Sequence, residues 1–226
     1  MNSAIILSGG RGTRMGSSIS KQFIEVKGKP ILYYTLKRFI EEDLIDEVIL
    51  VLPKDEIEYC KKEILEKYDL SVGKIVEGGK ERQDSVFNGL KALKNTDIVL
   101  IHDGARPFVS HNIIKDGIEG AKKFKAAAPG VMPKDTIKVK DKDSFSKETL
   151  KREELIAVQT PQVFNYNLIL ECHNRVSKEN IQVTDDTMVV ELFGNKVFLY
   201  DGEYTNIKIT TPEDLILAEY LASKQQ

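Results

Sequence analysis

The sequence predicts a three-layer α/β domain, in which helices cover both faces of a mostly parallel sheet. Short apolar runs indicate strands at Ala4–Leu7, Glu47–Leu52, Lys74–Val76, Asp97–His102, Ala157–Gln159 and Lys196–Tyr200. Segments with helical character separate them, at Ile31–Glu41, Asp55–Tyr68, Asp84–Lys94, Asn112–Phe124, Tyr166–Val176, Asp185–Phe193 and Pro212–Ala222. Continuous apolar strands that alternate with helices favour parallel strands buried on both sides.

Two of the helices show their character most clearly. Apolar residues recur every three or four positions from Ile113 to Phe124, which is the period of an α-helix with one buried face. The last helix opens with Thr211-Pro212-Glu213-Asp214. This order supplies a capping hydroxyl, a proline at the first helical position and acidic residues against the helix dipole.

One charged segment, residues 134–152, interrupts the alternation. Thr136, Lys138 and Lys140 alternate there with Ile137 and Val139, which predicts a β-hairpin with its turn near residues 141–145. Two strands alone bury too little surface to be stable. The segment is therefore expected to project from the sheet as an arm supported by a partner surface, although a mobile surface hairpin remains the alternative.

Length and composition favour a globular protein with a single domain spanning residues 1–226. The net charge of −2 argues against a nucleic-acid partner, and no apolar run is long enough to span a membrane. The N-terminus lacks the pattern of a signal peptide. Cys60 and Cys172 are too few for a disulfide framework, so we expect both to be thiols in the cytoplasm.

The glycine-rich stretch LSGGRGTRMG, residues 7–16, directly follows the first predicted strand. Its glycines allow a tight turn whose backbone N–H groups face an anion, and Arg14 and Lys21 add positive charge to the same loop. The stretch does not fit a dinucleotide-binding fingerprint, because Met15 occupies the position of the third glycine. No P-loop pattern occurs in the sequence. The loop therefore indicates a nucleoside triphosphate site, with a turn that binds no ligand as the alternative.

Further polar residues follow other predicted strands. Asp103 ends the fourth strand, where open α/β sheets bind ligands, and a carboxylate at that place suits Mg²⁺. A turn or capping role is its alternative, and His102 beside it is expected to be a satisfied structural residue. A second glycine turn at Gly78-Gly79 could expose backbone groups and Ser85 to a base edge. Lys208 alternates with Ile207 and Ile209, and by its position alone it is expected to be a solvated lysine.

The chain resembles nucleotidyltransferases through the first loop, with Ser20 standing where their signature usually has proline. A larger set of motifs occurs in one order: Lys21, HDGARPF at 102–108, DTIK at 135–138, QTPQ at 159–162, TDD at 184–186 and NIKITTPEDL at 206–215. This set is similar to the 2-C-methyl-D-erythritol 4-phosphate cytidylyltransferase family over nearly the whole chain. The resemblance implies a Rossmann-like nucleotidyltransferase sheet.

The resemblance also implies roles for individual residues. Catalytic cations would be Arg14, Lys21 and Lys208. Nucleotide contacts would come from Ser8, Gly9, Gly10, Gly12, Thr13, Gly79, Lys80 and Ser85, with Lys80 contributing backbone only. The polyol phosphate would be surrounded by Asp103, Thr136, Arg152, Thr160 and Thr184, and Asp103 would also bind Mg²⁺. The 134–152 arms of two subunits would cross in a homodimer, so that Thr136 and Arg152 complete the neighbour's site.

The expected reaction is attack by a polyol phosphate on the α-phosphorus of CTP, giving 4-diphosphocytidyl-2-C-methyl-D-erythritol and pyrophosphate. A phosphate monoester is mostly a dianion at neutral pH because its second pKa is about 6, so no general base is required. Two alternatives stay open. One is a cytidylyltransferase for ribitol 5-phosphate or another polyol phosphate, and the other is a CTP-binding module without catalysis.

Overall fold

The structure is a computed structural model that describes residues 1–9 and 20–224. Its strands, in chain order, are β1 Asn2–Leu7, β2 Glu25–Val26, β3 Lys29–Pro30, β4 Glu47–Leu52, β5 Lys74–Glu77, β6 Ile98–Asp103, β7 Ala126–Val131, β8 Lys138–Lys140, β9 Ser146–Thr149, β10 Ala157–Val158, β11 Gln162–Asn165 and β12 Phe198–Asp201. The helices are α1 Ile31–Ile40, α2 Ile57–Cys60, α3 Arg82–Ala92, α4 His111–Phe124, α5 Tyr166–Glu179, α6 Asp186–Glu191 and α7 Pro212–Lys224.

The main sheet contains eight strands within the described part of the chain, in the order β10-β7-β11-β6-β1-β4-β5, with β12 also paired to β7. The pairs β1–β4, β1–β6, β4–β5 and β7–β12 are parallel, whereas β11 runs antiparallel to β6 and β7. In register, Ile5 of β1 lies between Ile49 and Ile101. The predicted mostly parallel sheet is therefore confirmed.

Helices pack on both faces of this sheet, because neighbouring residues of each strand point to opposite sides. Ile6 joins an apolar cluster that includes Leu36 of α1 and Ile114 of α4. Ile5 joins a second cluster with Val86 of α3 and with residues of α5 and α6. These two fully buried layers confirm the predicted three-layer arrangement.

Strands β7 and β11 were not predicted from the sequence. Strand β7 has the sequence AAAPGV, whose small residues and proline give little β signal. Strand β11 has only four residues and passes directly into α5, so its apolar run is too short to stand out. The expected helix 55–68 also differs in detail, because α2 lies between a 3₁₀ turn at Lys54–Glu56 and a π-helical stretch at Lys61–Glu66.

The charged segment forms the expected hairpin. Strands β8 and β9 pair antiparallel in a sheet of their own, and the turn closes with a 2.9 Å hydrogen bond from the Asp141 N–H to the Phe145 carbonyl. All residues of both strands are exposed, and Phe145 at the turn is 72% exposed. The hairpin therefore projects from the main sheet as an arm with no core of its own.

Candidate active site

A cleft of about 240 Å³ lies at the carboxyl edge of the main sheet. Ser8 follows β1, Gly79 follows β5, and Asp103 is the last residue of β6, so three strand ends contribute to it. This is the edge at which open α/β sheets bind ligands. The cleft is lined by eight of the residues expected from the sequence, namely Ser8, Gly9, Lys21, Gly79, Lys80, Ser85, Asp103 and Lys208.

The ends of β1 and β6 approach each other closely at Gly104. Its N–H donates to the Leu7 carbonyl over 2.8 Å. A Cβ at this position would lie 2.1 Å from Ser8 Oγ and 3.0 Å from the Leu7 oxygen, closer than ordinary van der Waals contact. Glycine at position 104 thus allows the carboxylate of Asp103 to sit beside the start of the glycine-rich loop.

The far end of the glycine-rich loop is fixed by Gln22, whose side chain is buried. Its Nε2 donates to the Ser8 carbonyl over 2.9 Å and to Glu56 Oε2 over 2.5 Å. Ser20 donates a hydrogen bond to the same Glu56 carboxylate. These contacts hold the segment that carries Lys21 against the end of β1.

Asp103 is a carboxylate surrounded by cationic side chains in the cleft. Its Oδ2 lies 2.9 Å from Lys208 Nζ and 3.6 Å from Arg106 Nε, while Oδ1 lies 3.8 Å from Arg82 Nε. Burial by itself raises the pKa of this carboxyl, but Lys208, Arg82 and Arg106 outweigh that effect and hold the pKa well below its usual range. Asp103 is therefore ionised at neutral pH.

Arg82, at the start of α3, is a site residue that the sequence analysis missed. Its Nη1 lies 2.8 Å from Oδ2 of Asp186, which is 1% exposed and whose Oδ1 lies 3.1 Å from His173 Nε2. Arg82 therefore joins Asp103 to a second buried carboxylate at the start of α6. A signal that could have found it was its place in the sequence, shortly after the second glycine turn.

That glycine turn is held by its own helix. The Gly79 N–H donates to Ser85 Oγ over 3.0 Å, and the Ser85 hydroxyl donates to the Glu81 carbonyl over 3.2 Å. A Cβ on Gly79 would lie 2.2 Å from Cβ of Asp84, so the turn has no room for a side chain there. Ser85 thus lines the cleft while its hydroxyl supports the turn.

Lys208 reaches Asp103 because the segment before α7 is anchored beneath the cleft. Asn206 is fully buried, and its Nδ2 donates to Gln159 Oε1 over 3.1 Å and to the Thr160 carbonyl over 3.0 Å. Arg106 Nη1 donates to the Asn206 carbonyl over 2.8 Å. The lysine is thus carried by a rigid segment, in contrast to the solvated lysine expected from its position alone.

The expected polyol-phosphate residues separate into two groups. Thr160 is buried directly below Asp103, and its Oγ1 accepts from the Asp103 N–H over 3.1 Å. Thr136, Arg152 and Thr184 are exposed, and none of them lines the cleft of its own chain. Arg152 is held on the arm by a 3.0 Å hydrogen bond from Nη1 to the Lys134 carbonyl.

Four expected nucleotide or catalytic residues, Gly10, Gly12, Thr13 and Arg14, lie outside the described residues. Over residues 1–9 and 20–224, no group of three or more His, Cys, Asp or Glu side chains is arranged to hold a metal ion. In the same ranges, no helix has the length and apolar character required to cross a membrane. Asp103 is a described carboxylate that lies among the cations of the cleft.

Comparison with known proteins shows what the chain is similar to. The model of the 2-C-methyl-D-erythritol 4-phosphate cytidylyltransferase family matches residues 3–224. A protein of that name from Clostridium beijerinckii is 65% identical over 220 residues, which cover 97% of each chain. Another from Clostridium botulinum is 59% identical over 224 residues, covering 99% of this chain and 100% of the relative.

Solved structures agree with the sequence comparison. The 4-diphosphocytidyl-2C-methyl-D-erythritol synthase of Anaerococcus prevotii superposes with a TM-score of 0.86 at 40% identity, covering 100% of this chain and 96% of the other. The 2-C-methyl-D-erythritol 4-phosphate cytidylyltransferase of Thermus thermophilus gives 0.81 at 32% identity, covering 99% and 100%. The predicted resemblance and enzyme class are thereby confirmed. The chain belongs to the 2-C-methyl-D-erythritol 4-phosphate cytidylyltransferase family.

Proposed function

We propose that this chain transfers the cytidylyl group of CTP to 2-C-methyl-D-erythritol 4-phosphate, forming 4-diphosphocytidyl-2-C-methyl-D-erythritol and pyrophosphate for isoprenoid synthesis. The observation that supports this most is the convergence of Asp103, Lys208 and Arg82 in a cleft that is also lined by Gly9, at the start of the glycine-rich loop, and by Gly79 of the second glycine turn. Cations placed around an ionised carboxylate suit a reaction in which two polyanions must approach each other. The family match over almost the whole chain supports the identity of the two substrates.

The cleft suggests how CTP would lie. The backbone of Ser8 and Gly9 leads into the glycine-rich loop and would face the phosphates. The backbone of Gly79 and Lys80 lies across the cleft and would face the edge of the cytosine. Since the Ser85 hydroxyl already bonds within its turn, its contribution to base recognition would be to hold Gly79 in place.

The chemical step is a displacement at the α-phosphorus. An oxygen of the substrate phosphate forms the new P–O bond, and the bond to the β-phosphate oxygen breaks as pyrophosphate leaves. The attacking phosphate is already mostly a dianion at neutral pH, because its second pKa is about 6, so no proton has to be removed. Lys21, Lys208 and Arg14 would neutralise the charge that gathers on the α-phosphoryl oxygens.

The residues present fit a magnesium ion. Mg²⁺ in nucleotide sites is held by one or two carboxylates together with phosphate oxygens and water, and Asp103 supplies one carboxylate that is ionised at neutral pH. When bound, the ion would add positive charge at the triphosphate. Asp103 would hold it, while Lys208 and Arg82 orient the carboxylate from either side.

We also propose that the chain forms a homodimer in which the arm crosses to the neighbour. The arm exposes Ile137, Val139 and Phe145, apolar side chains that a partner surface would cover. Thr136 and Arg152, expected at the polyol-phosphate site, do not line the cleft of their own chain. A crossing arm would bring them to the partner's cleft and complete it.

Mixing two inactive variants tests the shared site. Lys208→Met removes a cation from its own cleft, and Arg152→Met removes one from the neighbour's cleft if the arms cross. A mixed dimer then contains one site with both defects and one with neither, so mixing and re-equilibrating the two variants restores turnover. If Arg152 acts within its own chain, both sites of the mixed dimer stay defective and no activity returns.

A substrate panel tests the function itself. Pyrophosphate release from CTP and Mg²⁺ is measured with 2-C-methyl-D-erythritol 4-phosphate and with ribitol 5-phosphate side by side. Turnover with the first alone supports the proposal, whereas turnover with ribitol 5-phosphate alone would assign the chain to polyol metabolism. Binding of CTP without pyrophosphate release in either reaction would contradict catalysis.

A cytoplasmic location accords with the two cysteines. Cys60 and Cys172 are both buried free thiols. Burial raises the pKa of the Cys60 thiol to about 12, which keeps it protonated and unreactive. Such thiols are typical of proteins in a reducing compartment.

A further inference from the structure

His102 directly precedes Asp103, which lines the cleft, but its imidazole lies inside the protein and takes no part in the chemistry described above. It is the last residue before Asp103 in β6 and is fully buried. The ring packs against Phe39 of α1, with 4.7 Å between ring centroids. Both ring nitrogens have hydrogen-bond partners, although a ring in an apolar core needs neither for packing.

One partner, Arg106, ends the turn that follows β6, and the other, Thr160, is hydrogen-bonded to Asp103 at the start of that turn. His102 Nε2 is 3.0 Å from the Arg106 carbonyl oxygen, and His102 Nδ1 is 3.1 Å from Thr160 Oγ1. The same Thr160 Oγ1 accepts from the Asp103 N–H. The turn itself closes through a 3.0 Å bond from the Arg106 N–H to the Asp103 carbonyl.

The chemistry of the partners fixes the direction of each bond. A carbonyl oxygen only accepts, so Nε2 carries the hydrogen and donates to Arg106. A ring buried against Phe39 is neutral, so Nδ1 is an acceptor and Thr160 donates to it. Burial lowers the pKa of His102 to about 4, which agrees with a neutral ring. One continuous chain of donors therefore runs from the Asp103 amide through Thr160 and His102 to Arg106.

We propose that His102 is a positioning residue that clamps both ends of the turn 103–106 and thereby fixes the Asp103 carboxylate toward the substrates. The clamp also reaches Lys208 indirectly, because Arg106 donates to the carbonyl of Asn206 in the segment that carries this lysine. The effect of this clamp on turnover rests on the proposed function, whereas the hydrogen bonds of His102 are independent of it.

Substituting His102 by an amide residue tests its two hydrogen bonds one at a time. In His102→Asn the side-chain oxygen takes the place of Nδ1 and accepts from Thr160. In His102→Gln the amide nitrogen takes the place of Nε2 and donates to Arg106. His102→Phe keeps the ring volume against Phe39 and removes both bonds, so it is the matched control for packing alone.

We expect His102→Phe to lower kcat by about 100-fold, since a displacement of roughly 1 Å of a positioned group has this effect. The KM for CTP should change little, because the glycine turns are untouched. His102→Asn should keep the most activity, since it retains the bond to Thr160, which anchors the Asp103 amide directly. Wild-type kcat in folded His102→Phe would overturn the proposal.

The hydrogen bonds of His102 can also be tested without measuring turnover, which matters if the variants are unstable or the protein has no cytidylyltransferase activity. Two-bond ¹H–¹⁵N NMR correlation of the imidazoles in the wild-type protein, with His102 assigned by its loss in His102→Gln, reports which nitrogen carries hydrogen. The proposal requires hydrogen on Nε2 alone at neutral pH. Hydrogen on Nδ1, or on both nitrogens, would overturn it whatever the protein catalyses.

Discussion

Replacing Gly104 by alanine should disturb the place where β1 and β6 bring the loop and the carboxylate together. The new Cβ would lie 2.1 Å from Ser8 Oγ and 3.0 Å from the Leu7 carbonyl oxygen. The Ser8 hydroxyl can rotate away, but the Leu7 oxygen is part of the strand and also accepts the 2.8 Å bond from the Gly104 N–H. Relief therefore requires the two strand ends to move apart.

Two opposing effects set the size of the change. Overpacking a well-packed site lowers the free energy of unfolding by about 1–3 kcal/mol. Alanine also restricts the unfolded chain more than glycine does, which raises the free energy of unfolding by about 0.4–1 kcal/mol. The expected net effect of Gly104→Ala is a loss of about 1–2 kcal/mol. Because Asp103 moves with the turn, kcat/KM should fall by about 10-fold or more.

Urea unfolding and steady-state kinetics measure these two effects. Gly9→Ala is the matched control for stability, because among the described residues its Cβ would meet Ser85 Oγ alone, at an ordinary contact distance of 3.9 Å. Its free energy of unfolding should be unchanged or slightly raised. If Gly104→Ala is as stable and as active as the wild type, the close approach of the two strand ends is not a constraint and the reasoning is refuted.

Three further predictions concern charges in and around the cleft. Arg82→Gln leaves Asp186 buried without its cation, so the free energy of unfolding should fall by about 3 kcal/mol, and by less in the double variant with Asp186→Asn. The pKa of His102 is about 4 in the folded protein and about 6.5 when unfolded, so below pH 6.5 the unfolded state binds a proton that the folded state does not. The free energy of unfolding should therefore fall by about 2 kcal/mol between pH 7 and pH 5. This contribution should be absent in His102→Gln. Equal pH dependence of the free energy of unfolding in the two proteins would contradict a buried neutral ring. Lys21→Ala should lower turnover by ~100-fold while leaving the fold intact, and near-normal turnover would remove Lys21 from the reaction.

Much of the fold and cleft could be predicted because local signals were strong. Apolar runs such as Glu47–Leu52 identify buried strands directly. Asp103 ends one strand and Gly79 comes shortly after another, and the carboxyl ends of parallel strands share one edge of the sheet. The role proposed for Lys208 rests on resemblance, because a lysine between two isoleucines carries no signal of the carboxylate that it meets in the fold.

Other features depend on packing between distant segments. Arg82 and Asp186 are 104 positions apart in the sequence. They meet because α3 and α6 pack on the same face of the sheet. Thr160 was expected at the substrate, yet its hydroxyl is buried between His102 and the Asp103 amide. Strand β7, with no β-branched residue before Val131, is a strand because its neighbours pair with it.

The central claim is that the cations of the cleft support one direct displacement at the α-phosphorus, with no covalent intermediate on the protein. The stereochemical course tests it most directly. A single diastereomer of CTP with sulfur on the α-phosphate is used as substrate, and the configuration of the product is determined by ³¹P NMR. One in-line displacement predicts inversion at phosphorus, whereas retention would require two displacements through a nucleotidyl-protein and would contradict the account.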